Sequence, residues 1–509
     1  MVTRTDSGSS MLVERRPQFE RDTRRDVLLL QVAALELEMA QKRLPLYSEI
    51  NSLSPIDQLP AEIKTEIFYN ALGSLVNTEW RGIYSEWEGM YPFFLGKICR
   101  SWRDFVWSTP ILWSTLHLCL SEDRYEAQID LLHDWLSRIS NHPISFCLDY
   151  EELPDDWDFH SPTEVLTTLA SISSQWKDIE LLLPDIKACF DAISTTGKPL
   201  PLLTTATIRF HPTSFNPELQ LNLSMTPQLT VLHLSNPYLS KVLVPWHQLR
   251  EFLAEGCTVD EIRIFFHNAP QIIHCTFKEI NSVIMDHSLN LDLFHPVVLE
   301  HLECLKLWFS FLDESANWIL GPAKLPSLRE VSLHGPFASS AAILLRIMQA
   351  FCSSQLLENF ALSYEVPSEI ILIQVLELVP SITALRLRLT KHAGNFFLSE
   401  ALFQRLYCPH NILLPNLQNF SYHGPISLTE HMDLFRDVLV YRFRQCTSPP
   451  KEVGSEQKTV SQIQSVTVDT SSQLVISPDI QEELDGLRRD GLDLSVTSHF
   501  VESRNFHEL

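Results

Sequence analysis

The sequence predicts an α/β protein in which an N-terminal helical module precedes a long, irregular array of strands, each with a backing piece. Three observations lead there. Apolar residues between positions 26 and 120 recur largely at helical spacing. From Trp176 to Tyr422 a different pattern takes over, an apolar residue followed by two more at +3 and +5, and it recurs ten times. Finally, a chain of 509 residues that is 45% hydrophobic can bury a sizeable core, as about two to four ordinary domains or one repeat array.

Residues 1–25 are charged and turn-prone, lack the apolar run of a signal peptide, and read as a flexible tail. From 26 to 44 the chain is free of Gly and Pro. Leu28, Val32, Leu35 and Met39 share one stripe there, and Leu30, Leu37 and Leu44 another. This predicts a helix that Pro45 ends before it reaches the length of a coiled coil. Its stripes are expected to pack against the module that follows.

That module spans 52–120. It contains S-P-I-D-Q-L-P-A-E-I-K-T-E-I-F from Ser54, K-I-C-R-S-W-R-D-F from Lys97 and T-P-I-L-W-S-T-L from Thr109, which predict three short helices. In the first, Pro60 stands at the entry, where its missing N–H would have had no partner. Helical spacing then puts Ile63, Ile67 and Phe68 on one stripe beside Leu59. The second offers Ile98, Cys99, Trp102 and Phe105; the third offers Leu112, Trp113 and Leu116. So small a unit has little core of its own, and the stripe reads as an interface as readily as an interior.

The pattern L-P-x-E-I-x-x-x-I-F, followed by C-R-x-W-R and L-W, resembles the F-box, in particular the F-box-like proteins common in fungi. The resemblance covers residues 53–118. An insertion at 74–90, carrying Trp80, Tyr84 and Trp87, departs from the pattern. The resemblance implies docking onto a Skp-type adaptor of a cullin-based ubiquitin ligase, with Leu59, Pro60, Ile63, Ile67 and Phe68 matching the adaptor-facing positions. A helical hairpin buried against the rest of this chain is the other reading of the same residues.

The repeat occupies 129–446. Its register residues are Trp176, Leu203, Leu229, Leu249, Ile272, Leu302, Leu328, Leu357, Ile382 and Leu417, spaced in the irregular range of a leucine-rich-repeat-like solenoid. The pair at +3 and +5 suits a short strand with one buried face, and x-P-x-L turns the chain into it. Such a unit hides its apolar face only by stacking on its neighbours. Backing helices are expected at 164–172, 338–351, 370–378 and 398–406, with the Pro-rich connections irregular or 3₁₀. A generic α/β domain of unrelated strands is the alternative. HMDLFRDVLVYRFRQ reads as a further helix, 447–463 as a mobile connection, and 464–509 as a last repeat and cap: a strand, a helix over 478–490 and the edge strand GLDLSV.

Composition narrows the function. With 39 basic and 63 acidic residues, the formal charge of -24 disfavours nucleic acid and anionic membranes as partners. No stretch is apolar enough to span a bilayer, and ten scattered cysteines without C-x-x-C suit a reducing compartment. A cytoplasmic or nuclear protein is expected. Phosphate-binding, dinucleotide, zinc-protease and nucleophile-elbow motifs are all absent, so no enzyme and no cofactor is expected. His274-Cys275 and Cys408-Pro409-His410 come nearest to metal ligands, without a second pair at zinc spacing. The acidic run from Asp149 to Asp158 lacks the spacing of a calcium loop and reads as a solvated junction.

These readings converge on a noncatalytic substrate receptor, or alternatively on a stand-alone interaction scaffold whose F-box-like helices no longer bind an adaptor. In each strand the residues flanking and separating the apolar pair should face the open side of the sheet. From the fifth repeat onward they include Lys278, Lys306, Trp308, His334, Arg386, Arg388 and His423, with His274, against the acid Glu330. Such a face suits an acidic or phosphorylated protein segment, although basic stems that merely cover a sheet are the plainer account.

Overall fold

A computed structural model describes residues 15–72, 92–151, 162–183, 187–193, 199–210, 220–236, 239–281, 296–320, 323–337, 341–352, 354–366, 368–390, 400–407, 412–424, 428–444, 460–470 and 476–498. The chain divides into two compact units, Met1–Thr115 with His133–His142, and Leu116–Leu132 with Pro143–Leu509. It is an α/β protein with an N-terminal helix and a long parallel sheet.

In the first unit, helix α1 (Arg15–Ser52) carries Pro45 inside it. The expectation that Pro45 ends this helix is therefore corrected, as is the flexible tail for residues 15–25. Proline removes one backbone bond and crowds the preceding turn, and in an exposed helix the freed carbonyl is solvated by water. Every side chain from 24 to 50 is exposed, so α1 does not pack against the module as expected. The module comprises α2 (Ala61–Leu72), α3 (Pro92–Gly96), α4 (Arg100–Trp107) and a 3₁₀ turn at Pro110–Trp113. Cys99 caps α4, its Sγ accepting the Trp102 N–H at 3.5 Å. Leu116 lies outside the predicted third helix because the chain enters a strand at Thr115. The insertion at 74–90 lies outside the described residues.

Trp113 anchors this unit's core. Its indole N–H donates to the Val106 carbonyl at 2.8 Å, and Trp107 and Trp135 meet its ring edge-on at 5.3 and 4.9 Å. Such aromatic contacts add about 0.5–1.5 kcal/mol each beyond the area they bury. At Gly96 a Cβ would stand 2.2 Å from the Trp107 ring, so that packing needs a glycine.

The strands are β1 (Thr115–Leu120), β2 (Ile144–Tyr150), β3 (Trp176–Leu183), β4 (Thr205–Phe210), β5 (Leu221–Asn222), β6 (Val231–Ser235), β7 (Val242–Leu243), β8 (Glu251–Glu255), β9 (His274–Ile280), β10 (Cys304–Phe309), β11 (Glu330–Pro336), β12 (Asn359–Glu365), β13 (Ala384–Leu389), β14 (Asn419–Gly424), β15 (Ser465–Thr470) and β16 (Asp493–Ser498). Among the described residues, all but β5 and β7, which pair with each other, join one 14-stranded sheet in sequence order. The sheet thus begins with β1, before the predicted start at 129: Trp113, Leu116 and Leu118 carry the same +3 and +5 spacing and are buried, but they overlap the apolar pattern of the helical module.

All ten register residues are 0–1% exposed. The reason for the x-P-x-L signal is local. The register N–H donates to the carbonyl three residues back, as in Leu229 to Thr226, Ile272 to Ala269, Leu328 to Leu325, Ile382 to Val379 and Leu417 to Leu414. Pro227, Pro270, Pro326, Pro380 and Pro415 each occupy the second position of such a turn, where their fixed φ fits. The apolar +3 residues then align strand to strand, Phe252 on Cys275 on Leu305 on Val331 on Phe360. Burying side chains of this kind stabilises by about 1.5–3 kcal/mol each.

Helices occur where expected, at Thr163–Ser171, Ala341–Phe351, Glu369–Glu377, Glu400–Tyr407, Leu428–Arg444 and Pro478–Arg489. Helices at Tyr125–Ile139, Lys187–Ile193 and Val259–Asn268 were not anticipated. Of the predicted mobile connection, 447–459 lies outside the described residues, whereas Ile463 is 2% exposed and bonded to the Arg442 carbonyl. Among the described residues β16 is the terminal strand of the sheet, as the GLDLSV reading anticipates.

Candidate functional site

Two surfaces collect the candidate residues, one in each unit. On α2 the sequence places apolar residues on two faces rather than one. Positions 64, 68 and 72 turn inward. Phe68, 1% exposed, meets Trp102 at 4.6 Å and Phe105 edge-on at 5.7 Å. Lys64 is buried beside it, its Nζ 3.4 Å from an Asp57 carboxylate oxygen and 5.1 Å from the Phe105 ring centre, and the same oxygen accepts a hydrogen bond from Ser101.

On the adjoining face Pro60 is exposed, Ile63 is 50% and Ile67 41% exposed, and Leu59 is half-buried. The five expected adaptor-facing residues are therefore split by the helical period. Phe68 belongs to the core and supports the helix from behind; Pro60, Ile63 and Ile67 form the free stripe. Phe94 and Ile98 in the same unit are exposed as well.

The second surface is the open face of the sheet. Its first half is acidic and internally paired: Arg209 lies 3.1 Å from Asp149 and 3.4 Å from Glu180, and His233 3.4 Å from Glu251. The acidic run is thereby placed only in part, since 152–161 lies outside the described residues.

From β9 onward the expected basic and aromatic residues do form a row. Lys278 Nζ sits 5.0 Å over the Trp308 ring, Trp308 lies 5.5 Å from His334, and His334 lies 5.4 Å from Tyr364. Burial, and after it the positive charge of Arg388, lowers the His334 pKa below its ordinary 6.5 and favours the neutral imidazole. Two of the expected basic residues are already partnered: Lys306 lies 3.4 Å from Glu330, and His423 2.9 Å from Asp469, an acid outside the expected face residues. Arg386 and Arg388 are exposed on β13, and among the described residues neither side chain has an ion-pair or hydrogen-bond partner.

Tyr364 was missed. It sits seven residues after the register residue Leu357, with a φ of 94°. The same place in other repeats also takes positive φ: Asn236, Gly256, Glu279 and Gly424. The chain turns out of its strand there, which Gly and Asn adopt readily and Tyr only under strain. A strained aromatic held against His334 is the kind of outlier that gathers at binding sites, and nothing in local sequence marks it beyond an aromatic at a strand end.

Among the described residues no cluster of three or more His, Cys, Asp or Glu is arranged to hold a metal ion. Cys275 belongs to the core, where burial pushes its thiol well above the ordinary range; 408–410 lies outside the described residues. Among the described residues, no helix is long and apolar enough to cross a membrane. A scan of protein-family models and a search of curated proteins give no match to this sequence.

Proposed function

We propose that this chain is a noncatalytic substrate receptor of a Skp-cullin-F-box ubiquitin ligase, built from an F-box-like module and an irregular leucine-rich-repeat-like solenoid. The observation that carries the reading is the two-faced α2. Its inner face closes the module on Phe68, while Pro60, Ile63 and Ile67 leave a second apolar stripe without a partner among the described residues of the unit. Two half-exposed isoleucines beside a proline suit an adaptor groove that takes an apolar helix face. A protein substrate binds the open sheet face around Trp308, His334, Tyr364, Arg386 and Arg388, and an acidic or phosphorylated segment complements the two guanidinium groups, which have no partner among the described residues.

The mechanism is proximity. Holding substrate and ligase on one chain raises the local concentration of a substrate lysine near the transferring enzyme, so the receptor needs no nucleophile of its own.

Affinity purification of the full chain from native cells, read by mass spectrometry, tests both halves. Adaptor and cullin peptides are expected with the parent and lost with Ile63→Asp/Ile67→Asp. Arg386→Glu/Arg388→Glu should keep the adaptor and lose the bound substrates. Absence of adaptor from the folded parent would leave a stand-alone scaffold, and an unchanged substrate set in the arginine variant would move that site elsewhere.

A further inference from the structure

We propose that α1 pairs antiparallel with α1 of a second copy of this chain. Its apolar residues are uncovered: Leu28 is 53% exposed, Val32 50%, Leu35 60%, Met39 52%, Leu46 60% and Ile50 62%. A helix with an open stripe of this length is an interaction surface rather than a solvated end.

The arrangement of the stripe selects the occupant. Counted outward from Met39, apolar residues stand four, seven and eleven positions before it (Leu35, Val32, Leu28) and seven and eleven after it (Leu46, Ile50), with Arg43 at four. The stripe is thus nearly the same read in either direction, which is what a two-fold axis through Met39 requires: each residue meets a partner whose own partner is itself. Its eleven-residue period, about 3.67 residues per turn, keeps it almost straight along two helices.

Charge decides the orientation. Antiparallel about Met39, Glu36 faces Lys42 and Lys42 faces Glu36, three positions either side of the axis. Arg43 then lies against Leu35, where its stem covers apolar surface. Both senses set Met39 against Met39, but a parallel pair in register would set Arg43 against Arg43 without the Glu–Lys pairs. Lys42 already bonds Glu38 on its own helix at 2.6 Å, an exposed pair that yields readily to a second carboxylate. Pro45 falls opposite Ala33, whose small side chain leaves room for the ring.

The test uses the full chain in sedimentation-velocity ultracentrifugation. The parent should sediment as a dimer, and Val32→Glu/Leu46→Glu at half that mass with unchanged far-UV circular dichroism. Glu36→Lys and Lys42→Glu should each weaken the dimer alone, and an equimolar mixture of the two should restore it. Under oxidising conditions Leu28→Cys mixed with Ile50→Cys should cross-link, while Leu28→Cys alone should give no more dimer than the parent. A monomeric parent, or a dimer indifferent to Val32→Glu/Leu46→Glu, would overturn the pairing; self-cross-linking of Leu28→Cys would overturn its antiparallel sense.

Discussion

The rings of Phe68 and Trp102 lie 4.6 Å apart, and that contact separates the structural face of α2 from the free one. Removing Phe68 opens a hole beneath the helix; altering Ile63 or Ile67 does not. Phe68→Ala should destabilise the module by about 3–5 kcal/mol, the usual cost of deleting a buried phenyl. Ile63→Asp/Ile67→Asp should leave stability within about 1 kcal/mol, as exposed sites generally do. Chemical denaturation followed by tryptophan fluorescence distinguishes them, and similar losses for both would mean that the outer stripe is covered in solution.

Gly96 permits the close approach of Trp107, whose ring would stand 2.2 Å from an added Cβ. Gly96→Ala is expected to cost about 1–3 kcal/mol through overpacking. Gly491, where nothing lies within 4 Å, serves as the spatial control, although its φ of 105° adds backbone strain to any substitution. A Gly96→Ala protein as stable as the parent would show that the indole moves aside freely.

In the proposed receptor, Tyr364 sets stability against binding. Its left-handed backbone costs a bulky residue about 1–2 kcal/mol that glycine does not incur, while its ring abuts His334. Tyr364→Gly should raise the unfolding midpoint and weaken capture of substrates. A variant both less stable and equally able to bind would assign the ring a packing role alone.

His334 provides a pH signature. Its folded pKa is lowered, first by burial and then by Arg388, so folding favours the neutral ring. The stability this group contributes is complete above about 6.5 and declines as pH falls below that value, until the folded imidazole also takes up a proton. Nuclear magnetic resonance of the imidazole should find titration below 6.5, moving partway upward in Arg388→Ala. No movement would show that Arg388 does not act on the ring.

Much of the sheet was readable because its signal is local. A register leucine, a proline turn before it and an apolar pair after it lie within a few residues, and burial of one strand face enforces all three at once. The four backing helices anticipated in 164–406 follow from the same kind of local periodicity. By contrast, β1 carries that spacing at Trp113, Leu116 and Leu118 but overlaps the apolar pattern of the helical module, and Pro45 resembles a helix end in sequence because only the exposed setting of α1 leaves the freed carbonyl to water.

The sequence by itself determined which residues are apolar and at what period, and hence the helices, the strand rows and the alignment of buried positions from Trp176 to Leu417. Only the tertiary structure decided which of two apolar faces of α2 became core, since Ile67 and Phe68 are adjacent in sequence and differ only in whether Trp102 covers them. It likewise decided which basic side chains are partnered: Asp469, 46 residues away in sequence, lies 2.9 Å from His423, and Arg442, fully buried, donates to the carbonyls of Leu406, Leu413 and Leu414. The reason is physical. Periodicity within one element reports burial against something, whereas the identity of that something, and the charge or strain it imposes, depends on residues brought together by the fold.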